Sequence, residues 1–99
     1  MSGKRSRVQR ERPERIPVRV RASYRAGSAP EPERFRVRNA VYDIAEIVDR
    51  WCEGPARAGR PVFHYFKVRS RGDSLFLLAY REASLEWFLV KAFGPEDPT

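Results

Sequence analysis

Apolar and polar positions alternate with period two from Ile16 onward. Ile16, Val18, Val20, Ala22 and Tyr24 interleave with Pro17, Arg19, Arg21, Ser23 and Arg25. That spacing predicts a strand over 16–25 with one apolar and one cationic face. Pro17 has no N–H to give a ladder and suits an edge or the start of a strand. Gly27, Ser28, Pro30 and Pro32 predict a loop over 26–33. Near the C-terminus three β-rich runs, 62–70, 74–82 and 86–93, predict a meander. A loop Arg71-Gly72-Asp73 would set Val68 opposite Phe76, Phe66 opposite Leu78 and His64 opposite Tyr80. A loop Ala83-Ser84-Leu85 would set Tyr80 opposite Phe88, Leu78 opposite Val90 and Phe76 opposite Ala92. Both registers put even-numbered apolar residues on one face, so they support each other.

Residues 35–51 fit two patterns. As a helix, Asn39 is the N-cap, Val41, Ile44, Ala45, Val48 and Cys52 form a stripe, and Gly54-Pro55 stops it. As a hairpin, Asn39-Ala40 is the turn, with Phe35 opposite Ile44, Val37 opposite Tyr42 and Arg36 opposite Asp43. Asn tolerates the left-handed backbone of such a turn, and Ala40 does so poorly.

Charge changes the picture at one end. Residues 1–28 carry nine basic and two acidic side chains, and so the whole formal net charge of +7; residues 29–99 carry eleven of each. Charge concentrated in this way is the footprint of a segment that meets a polyanion, most often nucleic acid. Two parts contribute. Residues 1–15, polar and without period, are expected to be a disordered basic arm. Arg19, Arg21 and Arg25 are aligned by the strand that follows. Arginine outnumbers lysine 17 to 3, and guanidinium suits bidentate phosphate contacts. The 99 residues allow one domain, here 16–93, with a tail over 94–99. No apolar run approaches the roughly 20 residues of a membrane span. No apolar stretch follows the N-terminal charges as in a signal peptide. With one cysteine there is no intrachain disulfide. The expectation is a soluble, cytoplasmic protein with no membrane partner.

The second face of the meander would carry Tyr65, Lys67, Arg69, Leu77, Arg81, Trp87, Leu89, Lys91 and Phe93. Aromatic rings among cations make a platform on which bases stack while Lys and Arg follow the backbone. The plainer alternative is that the first hairpin or a partner covers this face, because a monomer rarely exposes so large an apolar patch. Arg81 opposite Trp87 would then be a cross-strand cation–π pair. Other motifs carry less. Arg71-Gly72-Asp73 matches an integrin-binding tripeptide but reads as a turn in which Gly72 supplies the unusual dihedrals. His64 and Cys52 do not make a zinc set, which needs about four ligands, and no third group orients them as a nucleophilic pair. Asp43, Glu46 and Asp49 read as a solvated face. No glycine loop cradles a phosphate.

The run Pro32-x-x-Phe35-x-Val37-Arg38-Asn39-x-x-Tyr42-x-Ile44-x-x-Ile47-Val48-x-x-Trp51 resembles a small bacterial β-domain family of unknown function. Tyr65/Phe66-x-Val68, Gly72, Leu77 and Trp87-x-Leu89-x-Lys91-x-Phe93 extend the resemblance over about 16–93. The family is also seen at the C-terminal end of some Y-family DNA-polymerase-like repair proteins. This chain departs from its pattern with Val37 for Trp, Asn39 for Gly and Ala40 for Arg, and it lacks a Trp pair after Trp51. The Gly-to-Asn change keeps a left-handed turn and so favours the hairpin. The resemblance implies an all-β domain and DNA transactions, and it supplies no catalytic residue.

The expected fold is therefore all-β, a twisted antiparallel sheet of five or six strands near 16–25, 34–38, 41–49, 62–70, 74–82 and 86–93. It would be an open sheet or a small open barrel, with an α+β form (helix over 41–52) as the alternative. The expected function is a non-catalytic module that binds DNA or RNA or assists DNA repair, without cofactor or metal. Its surface would comprise Arg19, Arg21, Arg25, Tyr65, Lys67, Arg69, Arg81, Trp87 and Lys91. The alternative is a module that binds a repair protein or a second copy through the apolar face of the meander.

Overall fold

The computed structural model describes residues 15–54 and 61–95. The expected arm therefore lies outside the described residues, except for Arg15, as do 55–60 and 96–99. Six antiparallel strands follow one another: β1 (Ile16–Ser23), β2 (Glu31–Val37), β3 (Ala40–Glu53), β4 (Phe63–Ser70), β5 (Ser74–Arg81) and β6 (Glu86–Pro95). Each pairs with its neighbour in sequence, and β6 returns to β1 to close a barrel. The all-β expectation holds, and the barrel is closed rather than open. Closure runs through Ile16–Leu89, Pro17–Phe88 and Val18–Trp87.

The helical alternative for 41–52 is overturned, since these residues lie within β3 and the described residues contain no helix. The helix-like spacing has a β-sheet cause. Register shifts between Ile44 and Glu46 and between Ile47 and Asp49 leave Ala45 and Val48 as extra residues. Each bulge sets two residues opposite one. Residues packed toward the core then fall at Tyr42, Ile44 and Ile47, with Arg50 next on that side opposite Phe66. Steps of two, three and three imitate a helical stripe.

The β2–β3 hairpin forms with its turn one residue earlier than the residues suggest, so each residue of β2 meets a β3 partner two positions earlier. Val37 is opposite Ala40, Phe35 opposite Tyr42 and Arg34 opposite Asp43. Arg38 and Asn39 make the turn, and Arg38 takes the left-handed backbone (φ 55°). The change is even, so every side chain keeps its face, and a period-two pattern cannot distinguish the two registers. The consequence is chemical: Asp43 pairs with Arg34, not Arg36. The loop expected over 26–33 is also shorter, because β2 begins at Glu31 and takes in Pro32, which is buried.

The β4–β5 register is as expected: His64–Tyr80, Phe66–Leu78 and Val68–Phe76. Its turn places the positive φ on Asp73 (71°), not on Gly72. The β5–β6 register is expected correctly at Phe76–Ala92 and incorrectly beyond it, where Leu78 is opposite Leu89 and Tyr80 opposite Trp87. The connecting loop has four residues rather than three, with Arg81 opposite Glu86. Leu85 N–H closes it onto the Arg81 carbonyl at 2.9 Å. A register shift between Leu77 and Leu78 restores the pairing. A one-residue slip inverts a strand's faces. Trp87 and Leu89 accordingly point into the core, while Phe88 and Val90 point out.

The interior is built on Phe35, Val68 and Leu78, all fully buried. Phe35 stacks on Tyr42 (5.1 Å between centroids) and meets Phe76 edge-on (5.0 Å). Trp87 contacts Tyr80 at 4.9 Å and Phe66 at 5.7 Å. Ile16, Val18, Val20 and Ala22 of β1 complete the wall.

Two stability outcomes are expected in urea titrations. Leu78→Ala should cost about 2–5 kcal/mol, since the side chain is fully enclosed. Leu85 is 71% exposed and holds a left-handed backbone (φ 60°). Leu85→Gly should therefore stabilise by roughly 1 kcal/mol, because glycine carries no left-handed penalty.

Candidate nucleic-acid interface

β1 and β2 present their polar parity outward. In the ladder between them Arg19 stands opposite Arg36 and Arg21 opposite Arg34. All four are exposed. Residues directly opposite in an antiparallel pair have Cβ atoms about 4.5–5.5 Å apart, and like charges there are destabilising. Successive outward positions along a strand are about 6.7 Å apart. The result is two rungs of paired guanidiniums. Arg38, at the turn after β2, extends the row past the Arg19–Arg36 rung.

The acids nearby leave most of this charge uncompensated. Arg34 Nε donates to Asp43 Oδ1 at 2.6 Å. Among the described residues, no carboxylate pairs with Arg19, Arg21, Arg36 or Arg38. A groove of about 330 Å³ lies along the rungs, lined by Arg19, Arg21, Arg34 and Arg36 with Val20, Phe35 and Val41. A second groove of about 280 Å³ adjoins it, lined by Pro17, Val18, Arg19, Arg36 and Arg38. The two share the Arg19–Arg36 rung.

Of the residues expected at the site, Arg19 and Arg21 stand in this ladder. Arg25 lies in the loop beyond β1, at the mouth of a separate cavity. The expected platform on β4–β6 is rearranged. Trp87 is 6% exposed and belongs to the core, so it is withdrawn as a surface residue. The cause is the longer β5–β6 loop, which inverts that end of β6. Arg81 is consequently opposite Glu86, with Nη1 3.9 Å from its carboxylate, not opposite Trp87.

Nor does the first hairpin cover the outer face of β4–β6, because it closes the inner side. Outside the barrel Phe63, Tyr65 and Ala79 form a second buried cluster, with Leu77, Phe88 and Val90 packed against it. Its cations lie on its rings. Lys67 and Lys91 place their ammonium groups 5.0 and 5.1 Å from the centre of Phe93. Arg15 and Arg81 lie 4.4 and 5.5 Å from the centre of Phe63. Arg15 Nη2 also donates to the Tyr65 hydroxyl at 3.4 Å. Arg69 Nε donates to Glu46 at 3.3 Å. Trp51 stacks on Tyr65 with centroids 5.3 Å apart.

Arg34, Arg36, Arg38 and Trp51 were missing from the expected site. The alternation of arginine with Phe35 and Val37 was visible. The registers that set it opposite β1, and that released Arg36 from Asp43, were not. Among the described residues no group of three or more His, Cys, Asp and Glu could hold a metal ion. The described residues contain no helix long and apolar enough to cross a membrane.

At the far end of β2, Arg50 Nη1 donates to Glu31 Oε2 at 2.7 Å. This hydrogen bond, and then the Arg50 charge, hold the Glu31 carboxyl below its usual 4.5, with Arg25 adding to the effect.

The fold and this surface define a small closed β-barrel with an arginine ladder on its first hairpin. No family model matches the chain, and neither a curated protein nor a solved structure matches it.

If Arg36 repels Arg19 as the register requires, Arg36→Thr should raise stability by about 0.2–1 kcal/mol. Salt screens such repulsion, so the gain should shrink between low-salt and high-salt urea titrations. The Glu31 contribution is present above the usual carboxylate pKa and lost as pH falls through the lower folded value. An acid titration of stability should thus be shallower below pH 4.5 for Glu31→Gln than for the parent chain.

Proposed function

We propose that the protein is a non-catalytic nucleic-acid-binding module that holds a sugar–phosphate backbone on the β1–β2 ladder. The observation that carries this reading is the pair of rungs Arg19–Arg36 and Arg21–Arg34, whose charges oppose one another. A fold gains nothing from such pairs, whereas phosphates gain from them. The Arg19–Arg36 rung offers two guanidinium forks to one phosphate in the bidentate geometry that Arg favours, and the Arg21–Arg34 rung offers Arg21 beside an Arg34 already bound to Asp43. The repeat of about 6.7 Å between rungs is close to the interval between successive phosphates on one strand. Neutralising them releases counterions and gives affinity without sequence preference. The resemblance of 16–93 to a domain seen at the C-terminal end of some Y-family DNA-polymerase-like repair proteins supports an accessory role in DNA repair.

The outer face of β4–β6 supports a second reading, self-association or capture of a repair protein. Trp51 and Phe93 are 39% and 42% exposed, beside the apolar cluster outside the barrel. Rings of this kind anchor protein interfaces. Light scattering separates the readings: a monomer at all concentrations removes the self-association form.

The ladder is tested by fluorescence anisotropy with labelled single- and double-stranded DNA at about 50 and 200 mM salt. Arg19→Ala, Arg21→Ala and Arg36→Ala should each weaken binding and lower the salt slope by about one. Absence of binding at the lower salt, or a triple variant that binds like the parent, overturns the proposal.

A further inference from the structure

β2 and β3 part company after Arg34–Asp43. β3 continues beside β4 as far as Glu53, while β2 ends at Glu31. The Arg50–Glu31 ion pair bridges the gap at 2.7 Å. Behind this bridge a cavity of about 360 Å³ lies between the end of the β1–β2 hairpin and the β3–β4 arm. That volume is at the small end of the range for drug-sized ligands.

We propose that this cavity binds a phosphomonoester group, supplied either by a free nucleotide or by the phosphorylated end of a strand. Only the strand-end form rests on the ladder reading above. The walls carry the argument. Arg25 and Arg50 bring two guanidiniums against one carboxylate, Glu31. Ser23 and Ser28 add hydroxyl donors, and His64 adds a ring nitrogen besides the one 3.2 Å from Glu82. Phe66 lies beneath the Arg50 guanidinium, 5.8 Å from its ring centre. An anionic head fits such a lining; a purely apolar ligand would leave the cations unused. The row of arginines on β1 leads here, since Arg19 and Arg21 precede Arg25 along the chain.

The chemistry makes Glu31 a competitor. An arriving phosphate must share or take Arg50 from it. Neutralising Glu31 therefore strengthens phosphate binding, whereas a purely structural ion pair predicts that Glu31→Gln weakens it.

The test titrates the full chain with adenosine 5′-monophosphate by calorimetry. Adenosine and inorganic phosphate are the comparison ligands. The expected result is nucleotide binding at least about tenfold tighter than adenosine, as for a charge-assisted contact. Glu31→Gln should tighten it and Arg50→Ala should weaken it. Equal binding of the nucleotide and adenosine, no binding of either, or a weaker Glu31→Gln complex overturns the proposal. Oligonucleotides with and without a 5′-phosphate identify the source: discrimination between them assigns the strand end, and its absence beside mononucleotide binding assigns the free nucleotide. The ladder variants Arg19→Ala and Arg36→Ala should keep mononucleotide affinity, so failure of the ladder and failure of the cavity are read separately.

Discussion

Six strands share one interior, and each must turn its apolar parity toward it. Strand side chains alternate strictly, so an uneven loop or an extra residue would expose a whole strand's core set unless something restored the phase. Here bulges do so. In β3, Ala45 and Val48 are extra residues that bring Ile44 and Ile47 to the same side. In β6 the register shift opposite Leu77–Leu78 lets Trp87 and Leu89 face inward while Ala92 still stands opposite Phe76. Trp87 is then opposite Val18, and Leu89 opposite Ile16, across the closing seam. The barrel closes because β6 is inverted at that end. Bulges also strengthen local twist, which a small closed barrel requires.

The same constraint determines what lies outside. Once Val20, Phe35 and Val37 face the core, Arg19, Arg21, Arg34 and Arg36 have only the outer face of the first hairpin. The fold thus gathers like charges into a ladder and bears the repulsion. On β4–β6 the outward set is different in kind. Its cations rest on Phe63 and Phe93, and Arg69 and Arg81 lie near acids. One side of the barrel therefore offers charge of which only Arg34 has an acidic partner, and on the other the cations lie against rings or acids. That contrast is why the polyanion site is proposed on the first hairpin rather than on the meander.

Much of this was legible in the residues. Period-two alternation located β1, β4 and β5, and the Arg71-Gly72-Asp73 loop set the β4–β5 register correctly. Arg19 and Arg21 were recognisable as an outward cationic row. The errors have physical causes. Bulges in β3 spaced apolar residues like a helix. The β2–β3 register could move by an even step without disturbing any face, so Arg36 was matched with Asp43. The β5–β6 loop could hold three or four residues, and that single residue moved Trp87 from the expected surface to the core.

The alternation along the chain determined by itself that the protein is a β structure, where most strands run, and that its basic charge follows an apolar-backed strand. These are local properties, read within a few residues by the backbone's two-residue period. Only the tertiary structure decided closure, the two arginine rungs and the cavity behind Arg50 and Glu31. Each depends on registers between strands. Register is set by bulges and loop lengths acting together across the barrel, and the two-residue period is blind to any even shift.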